Sequence, residues 1–409
     1  MNQRPGSVEV PYGWVIVIVS LIINSIALAA PNILFVALKP IALEFDWPRA
    51  VPSMAYSLLM VGAGVGGIGM GMWLDRRGVM QPVMFGSVML GLGALIASRS
   101  DGQWSLYVAN GLLIGLLGKA AMIAPLVANA TRWFDRRRGL AIAIIASGQG
   151  LSGALWPPII GYLIDTVGWR GTYGYYGLFC IMTMVPLALL LRPRPPIAPA
   201  GSAWEVQSFD GRVLGWSPAA VQGILWFAVV GCCTGMAMPI VHLISYATDL
   251  GFHPLQASKM LSVLFAAAFI SRIGYGMLAD RIGGTRTLLF GSACQAVMLL
   301  VFAVVQSELG LYVAALMFGL GFAGIMPCYP LLIRMLFPTN QAGWRIASQY
   351  LFASMGMALG GWMGGAIFDA SGSYRYAFLV GFGFNVMNFT LIMTLHLRQH
   401  RFRMTPLPA

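Results

Sequence analysis

The hydrophobic positions of this chain come as long runs separated by short polar turns. Runs fall near 13–38, 50–74, 80–99, 104–131, 139–165 and 169–191, and again near 218–247, 256–279, 285–306, 310–336, 344–368 and 374–397. Each is long enough for an α-helix to cross about 30 Å of hydrocarbon, which takes roughly 20 residues. Backbone N–H and C=O groups cannot stay unpaired in lipid, so the runs must be helical. The pattern predicts an all-α integral membrane protein with twelve transmembrane helices, six in each half of the chain.

The polar turns repeat as well. Gly71-Met-Trp-Leu-Asp75-Arg76-Arg77-Gly78 returns as Gly276-Met-Leu-Ala-Asp280-Arg281-Ile-Gly283, with the two aspartates 205 positions apart. Leu106-Tyr-Val-Ala109 matches Leu311-Tyr-Val-Ala314 at the same offset, and Asp165-Thr-Val-Gly168 matches Asp369-Ala-Ser-Gly372 at 204. An offset held along a whole half-chain indicates two copies of one unit in the same order. The expected division is a six-helix bundle over 1–191, a linker over 192–217 with Pro193, Pro195, Pro196 and Pro199, and a second bundle over 218–409. A short interfacial helix is expected around Trp204.

Composition agrees with a membrane solvent: 58% of residues are hydrophobic and 9% charged, against about a quarter charged in soluble domains. The net charge of +12 would suit nucleic acid, but its placement argues otherwise. With both termini inside, Lys39, Arg49, Arg99, Arg170, Lys259 and Arg375 fall outside, two cations lie in the membrane, and all other Lys and Arg are cytoplasmic. Basicity of this kind sets orientation in a bilayer. The expected location is the cell (inner) membrane, multi-pass, with no nucleic-acid partner.

Several local patterns carry less than they suggest. Gly62-x-Gly64-x-x-Gly67 has the letters of a dinucleotide fingerprint, but no strand precedes it; Gly62, Gly66 and Gly67 read instead as small-residue helix packing. Gly115-Leu-Leu-Gly118-Lys119 lacks the rest of a phosphate loop. Ala27-Leu-Ala29 could pass for a signal-peptidase site, yet its run continues to Leu38 and reads as a retained helix. Cys180, Cys232, Cys233, Cys294 and Cys328 lie within apolar runs without metal-ligand spacing and read as packing residues. In the first helix Asn24, Leu28 and Asn32 share a face, and Pro31 is placed to break the helix beside Asn32.

The Asp75-Arg76-Arg77-Gly78 turn and its copy at Asp280-Arg281 resemble the signature loops of the major facilitator superfamily, between helices two and three and between helices eight and nine. The resemblance covers the whole chain. It implies two pseudo-symmetric six-helix bundles, a central cavity lined by helices one, four, seven and ten, and alternating access. Asp75, Arg76, Asp280 and Arg281 would then act in gating. Tyr12-Gly-Trp14, Arg132-Trp-Phe-Asp-Arg-Arg-Arg138, the Gly148-Gln149-Gly150 segment and Asp369-Ala-Ser-Gly-Ser-Tyr374 are similar to the monocarboxylate and oxalate/formate branches. In those branches an arginine at the position of Arg272 clamps the substrate carboxylate. The chain departs from them at Asn32, where the first branch has lysine, at Ala268, where it has an acid, and over Gln349–Gly361, where the second has a cation.

The polar residues expected deep in the membrane are few. All 13 acidic residues fall in turns or at helix ends, which disfavours export of cationic compounds. Lys119 stands about thirteen residues from either end of its helix, roughly 20 Å from each surface. Lysine at mid-bilayer costs about 2.5–3.5 kcal/mol, so it must face a cavity or a partner. Arg272 stands about 12 Å above Asp280, and its planar fork suits a carboxylate. His242 is the deep group able to titrate near neutrality, with Tyr246 one turn on; Tyr329, Gln149 and Asn32 complete the candidates for a substrate site.

The expected function is secondary active transport of a small organic anion, a mono- or dicarboxylate, with proton coupling and anion exchange both open. An exporter of lipophilic compounds is the alternative of the same class, and a non-transporting receptor or intramembrane enzyme the alternative of another. No catalytic constellation, metal site or cofactor motif is read in the spans, so the chain is not expected to be an enzyme. Its expected partners are the anion, protons and the lipid bilayer, and it is expected to work as a monomer.

Overall fold

The computed structural model describes residues 10–130, 132–134, 138–193, 212–337 and 339–404. The helix expected around Trp204 and most of the 192–217 linker lie outside the described residues, and so do the side chains of Asp75 and Asp280.

Among the described residues, eleven stretches are long and apolar enough to span a membrane. One of them, Ile144–Leu189, has 46 residues, about 69 Å of helix and more than twice the hydrocarbon thickness. It lies in the segment Arg138–Leu189, which turns at Gly168, where φ is 72°. The twelve helices are therefore α1 (Tyr12–Glu44), α2 (Ala50–Arg77), α3 (Met80–Ala97), α4 (Gln103–Ala130), α5 and α6 (Arg138–Leu189, divided at Gly168), α7 (Pro218–Asp249), α8 (Pro254–Ile282), α9 (Gly284–Val304), α10 (Glu308–Phe322 continuing as Ile325–Leu336), α11 (Thr339–Ser371) and α12 (Tyr374–Met404). They form two six-helix halves, α1 to α6 and α7 to α12.

The duplication reaches backbone detail. Gly78 and Gly283, 205 positions apart, end α2 and α8 with φ of 80° and 87°. Gly168 and Gly372 turn the chain with φ of 72° and 70°. Such angles are strained for any residue with a Cβ, so glycine at both copies follows from the turn itself. Within each half the same small-residue approach recurs: a Cβ on Gly115 would lie 2.7 Å from Leu59 O, and one on Gly319 would lie 2.1 Å from Leu264 O. On α2, Gly62 and Gly66 press against α4 as expected. Gly67 does not; a Cβ there would meet nothing within 4 Å, because one residue rotates the position by about 100° off the packed face.

Three helices are interrupted at mid-depth. α1 breaks at Leu28, three residues before the position expected from Pro31. The proline has no N–H to offer the carbonyl of Ala27, and its ring crowds that carbonyl, so the bend falls one turn upstream. α4 winds as a π-helix over Val108–Gly118, tightens to 3₁₀ over Lys119–Ala121 and resumes at Ala124. α10 breaks at Ala323 and Gly324, and Gly324 stands 205 positions after Lys119.

The start of α1 is fixed by two motifs far apart in sequence. Gly13 lets the chain lie on Trp133 and Phe134, with a would-be Cβ 3.0 Å from the Phe134 ring. Tyr12 pairs with Trp133 at 5.9 Å and Trp14 with Phe134 at 4.9 Å, and the Tyr12 hydroxyl donates to Leu190 O. At the other half, the Arg398 guanidinium lies 3.6 Å over the Trp216 ring and donates to Leu214 O, tying the chain before α7 to α12.

Candidate functional site

The two halves meet along a seam made by α2 against α11 and α5 against α8. In the first pair, Ser57 Oγ donates to Ala358 O at 2.6 Å, and Gly361 admits the Tyr56 ring. In the second, Gly150 and Gly153 of α5 lie against Phe269 and Phe265 of α8. At the face remote from both termini, hereafter the far face, the seam is closed by charge. Arg49 forks onto Asp249 and donates to the Tyr374 hydroxyl at 3.1 Å, and Lys39 Nζ lies 2.8 Å from Asp249. The Arg49 guanidinium also stacks 3.7 Å over Phe368. Toward the opposite, terminal face, a Cβ on Gly67, Gly69 or Gly71 of α2, or on Gly274 or Gly276 of α8, would meet nothing within 4 Å.

Arg272 lies where the closed part of the seam ends. From α8 it reaches across to α5, donating Nη1–H to Ala146 O at 3.0 Å and Nη2–H to Gln149 Oε1 at 3.4 Å. Its Nε is buried and has no hydrogen-bond partner among the described residues. Two of the expected site residues, Arg272 and Gln149, are thus brought together from opposite halves. Tyr350 of α11, half exposed, stands within electrostatic range of Arg272. Sequence reasoning passed over it, since a single tyrosine in an apolar run gives no signal of the face it occupies.

Lys119 occupies the break in α4. Its residue is 7% exposed, and Nζ lies 3.5 Å from the Met60 thioether, a weak acceptor. Among the described residues no carboxylate is paired with Lys119 or with Arg272. The π segment before the lysine and the 3₁₀ segment it begins leave carbonyls off the regular i→i−4 ladder, which is tolerated at membrane depth only inside protein or beside a polar cavity.

The other candidates are engaged elsewhere. Asn32 donates to Leu28 O at 3.1 Å, serving the break in its own helix, and to Ser152 Oγ at 3.4 Å. With Asn24 donating to Ile145 O and Trp156 to Ser25 O, it fastens α1 to α5. His242 is fully buried, and its Nε2 is 2.8 Å from Gly361 O, so that nitrogen carries the proton and donates. The ring packs on Gly364 and lies 5.1 Å from Tyr374, beneath the charged closure and not beside Arg272. Tyr246 donates to Val305 O at 2.7 Å. Tyr329 donates to Asn388 Oδ1 at 2.7 Å, within a buried network in which Asn388 Nδ2 donates to Ser292 Oγ and Asn385 Nδ2 to Ser292 O. These three hold α7 to α11, α7 to the end of α9, and α10 to α12 and α9. Arg76 and Arg281 are exposed at the ends of α2 and α8.

Two duplicated six-helix bundles, joined along a seam shut at one face and holding Arg272 and Lys119 with no paired carboxylate among the described residues, have the architecture of a membrane transporter. The chain belongs to the Major Facilitator Superfamily, whose model matches residues 17–343 and 224–408. It is 25% identical over 409 residues to monocarboxylate transporter 13 of Bos taurus, covering 97% of this chain and 92% of that protein. To monocarboxylate transporter 11 of Mus musculus it is 30% identical over 295 residues, 69% of this chain and 62% of that one. Among solved structures it is similar to a bacterial homolog of the human lysosomal transporter Spinster in an inward-facing and occupied conformation. That match has a TM-score of 0.77 and 13% identity, covering 98% of this chain and all of the other. It is also similar to the nucleoside transporter NupG, with a TM-score of 0.73 and 12% identity, covering 94% of this chain and 99% of that one.

Proposed function

We propose that this transporter carries a small organic anion, a mono- or dicarboxylate, by alternating access between two faces of a cell membrane. The observation that supports this reading most is Arg272: a guanidinium held between the halves by two neutral oxygens, Ala146 O and Gln149 Oε1, with no carboxylate paired to it among the described residues. A fork satisfied only by neutral acceptors is open to a better, charged one, and a carboxylate offers two oxygens at matching spacing. Lys119, likewise without a paired acid, adds a second positive charge from the N-terminal half. Two such charges make the empty site favourable for an anion, and binding of the anion would draw the halves together, coupling recognition to their movement. The names of the monocarboxylate transporters among its relatives agree with this substrate class.

In this reading the terminal face is cytoplasmic, because the arginine-rich turns lie there. Asp75, Arg76, Asp280 and Arg281 then gate that face, and the arrangement described here, shut at the far face, is the inward-facing one. Gln149 orients the arginine, while Asn32, His242, Tyr246 and Tyr329 act through packing.

The test is binding of labelled lactate, oxalate and aromatic monocarboxylates to purified protein. Arg272→Lys keeps the charge but loses the fork, and is expected to weaken binding by about tenfold or more. Lys119→Arg should bind better than Lys119→Ala. Wild-type affinity for a carboxylate in both Arg272→Ala and Lys119→Ala, each folded, would overturn the reading.

A further inference from the structure

The closure of the far face is lopsided in a way the duplication does not explain. α2 starts at Ala50 with Arg49 at its N-cap, and no side chain of its own neighbourhood caps it. The first N–H groups of an α-helix lack intrahelical partners and need an acceptor. Here the acceptor comes from the other half: Arg49 N donates to Asp369 Oδ1 and Ala50 N to Asp369 Oδ2, both at 2.8 Å. Asp369 lies near the end of α11, so a carboxylate of the C-terminal half caps a helix of the N-terminal half. It also faces the positive end of that helix dipole.

The copy of this arrangement is missing. α8, the duplicate of α2, caps itself: His253 Nδ1 accepts from Leu255 N at 3.3 Å, and Gln256 Oε1 accepts from His253 N at 3.2 Å. Asp165, the duplicate of Asp369, is exposed and has no hydrogen-bond or ion-pair partner among the described residues. Charge signs are segregated too. Lys39, Arg49 and the α2 N-terminus come from one half, and Asp249 and Asp369 from the other.

We propose that Asp369 is a cap supplied in trans, so that α2 is completed only while the far face is shut, and that this single contact, backed by Asp249, sets the balance between the two states of the transporter. Opening the far face uncaps α2 and separates two acids from two bases. Opening at the α5–α8 side uncaps nothing, because α8 carries its own cap. The bias toward the far-face-closed state therefore resides on one side of the seam.

The experiment reads accessibility and needs no substrate. Ser57, 6% exposed, lies under the lock with its hydroxyl on Ala358 O. Ser57→Cys places a thiol there, and its alkylation by a polar maleimide is followed in purified protein in nanodiscs, with the parent chain and its native cysteines as background. Loss of an N-cap and its charge is expected to raise the labelling rate roughly 5- to 30-fold in Asp369→Ala. Asp165→Ala should leave the rate unchanged. Asp369→Asn, which keeps one acceptor oxygen, should give a smaller rise and serves as the reading if the alanine variant does not fold. Unchanged labelling in the folded Asp369 variant, or an equal rise in Asp165→Ala, would overturn the proposal. Because no anion enters the assay, its outcome is independent of the substrate assignment.

Discussion

Gly153 offers the sharpest test of how the seam works. A methyl group there would stand 2.1, 2.3 and 2.6 Å from Cγ, Cδ2 and Cβ of Phe265 across the seam. The nearest atoms include the Cβ that anchors the ring to α8, so rotating the phenyl group cannot clear the clash. To restore ordinary carbon contact near 3.5 Å, α5 and α8 must part by about 1 to 1.5 Å. Overpacking of this kind costs about 1–3 kcal/mol, and it is felt only in the state where Gly153 and Phe265 touch. Gly153→Ala should therefore move the population toward the far-face-open state by roughly 5- to 150-fold. Spin labels on cysteines introduced at Leu43 and Leu309, exposed by 73% and 76% and placed in opposite halves, would report the distance across the far face. The expected outcome is a longer distance in Gly153→Ala and its return to the parent value in the double variant with Phe265→Ala, since the second change removes the ring. An unchanged distance distribution accompanied only by a lower melting temperature would refute the argument, because the strain would then have been absorbed locally.

Asn32→Ala should lower stability by about 0.6–2 kcal/mol, read as a lower melting temperature, with binding of a carboxylate unchanged; a loss of affinity at full stability would return Asn32 to the substrate site. His242→Gln should leave the pH profile of carboxylate uptake as it is while lowering stability, because the imidazole is fully buried with its proton committed to Gly361 O. A flattened pH profile measured in proteoliposomes would instead make it a proton carrier.

What the sequence determined by itself is the solvent and the repeat. Runs of twenty or more apolar residues admit only helices in a bilayer, and the offset of 204 to 205 residues foretold the matched glycine turns at Gly78 and Gly283 and at Gly168 and Gly372. Those turns are legible because a positive φ selects glycine locally, whatever the rest of the chain does. Embedded charge is legible for a similar reason: Arg272 and Lys119 stand out because lipid penalises them individually.

Only the tertiary structure decided which of these residues meet. The spans are apolar nearly all round, so their sequence does not say how each helix is rotated or how deep each residue sits against its neighbour. Gln149 therefore joins Arg272 while Tyr329, expected with them, donates to Asn388 on α12. The far-face lock was hidden for the same reason. Lys39, Arg49, Asp249 and Asp369 sit at the ends of four separate spans, and each alone reads as an ordinary solvated turn charge. Closing the two halves on one another brings opposite signs within hydrogen-bond range and sets a carboxylate of one repeat on the helix start of the other, a pairing that duplication alone would have made symmetric.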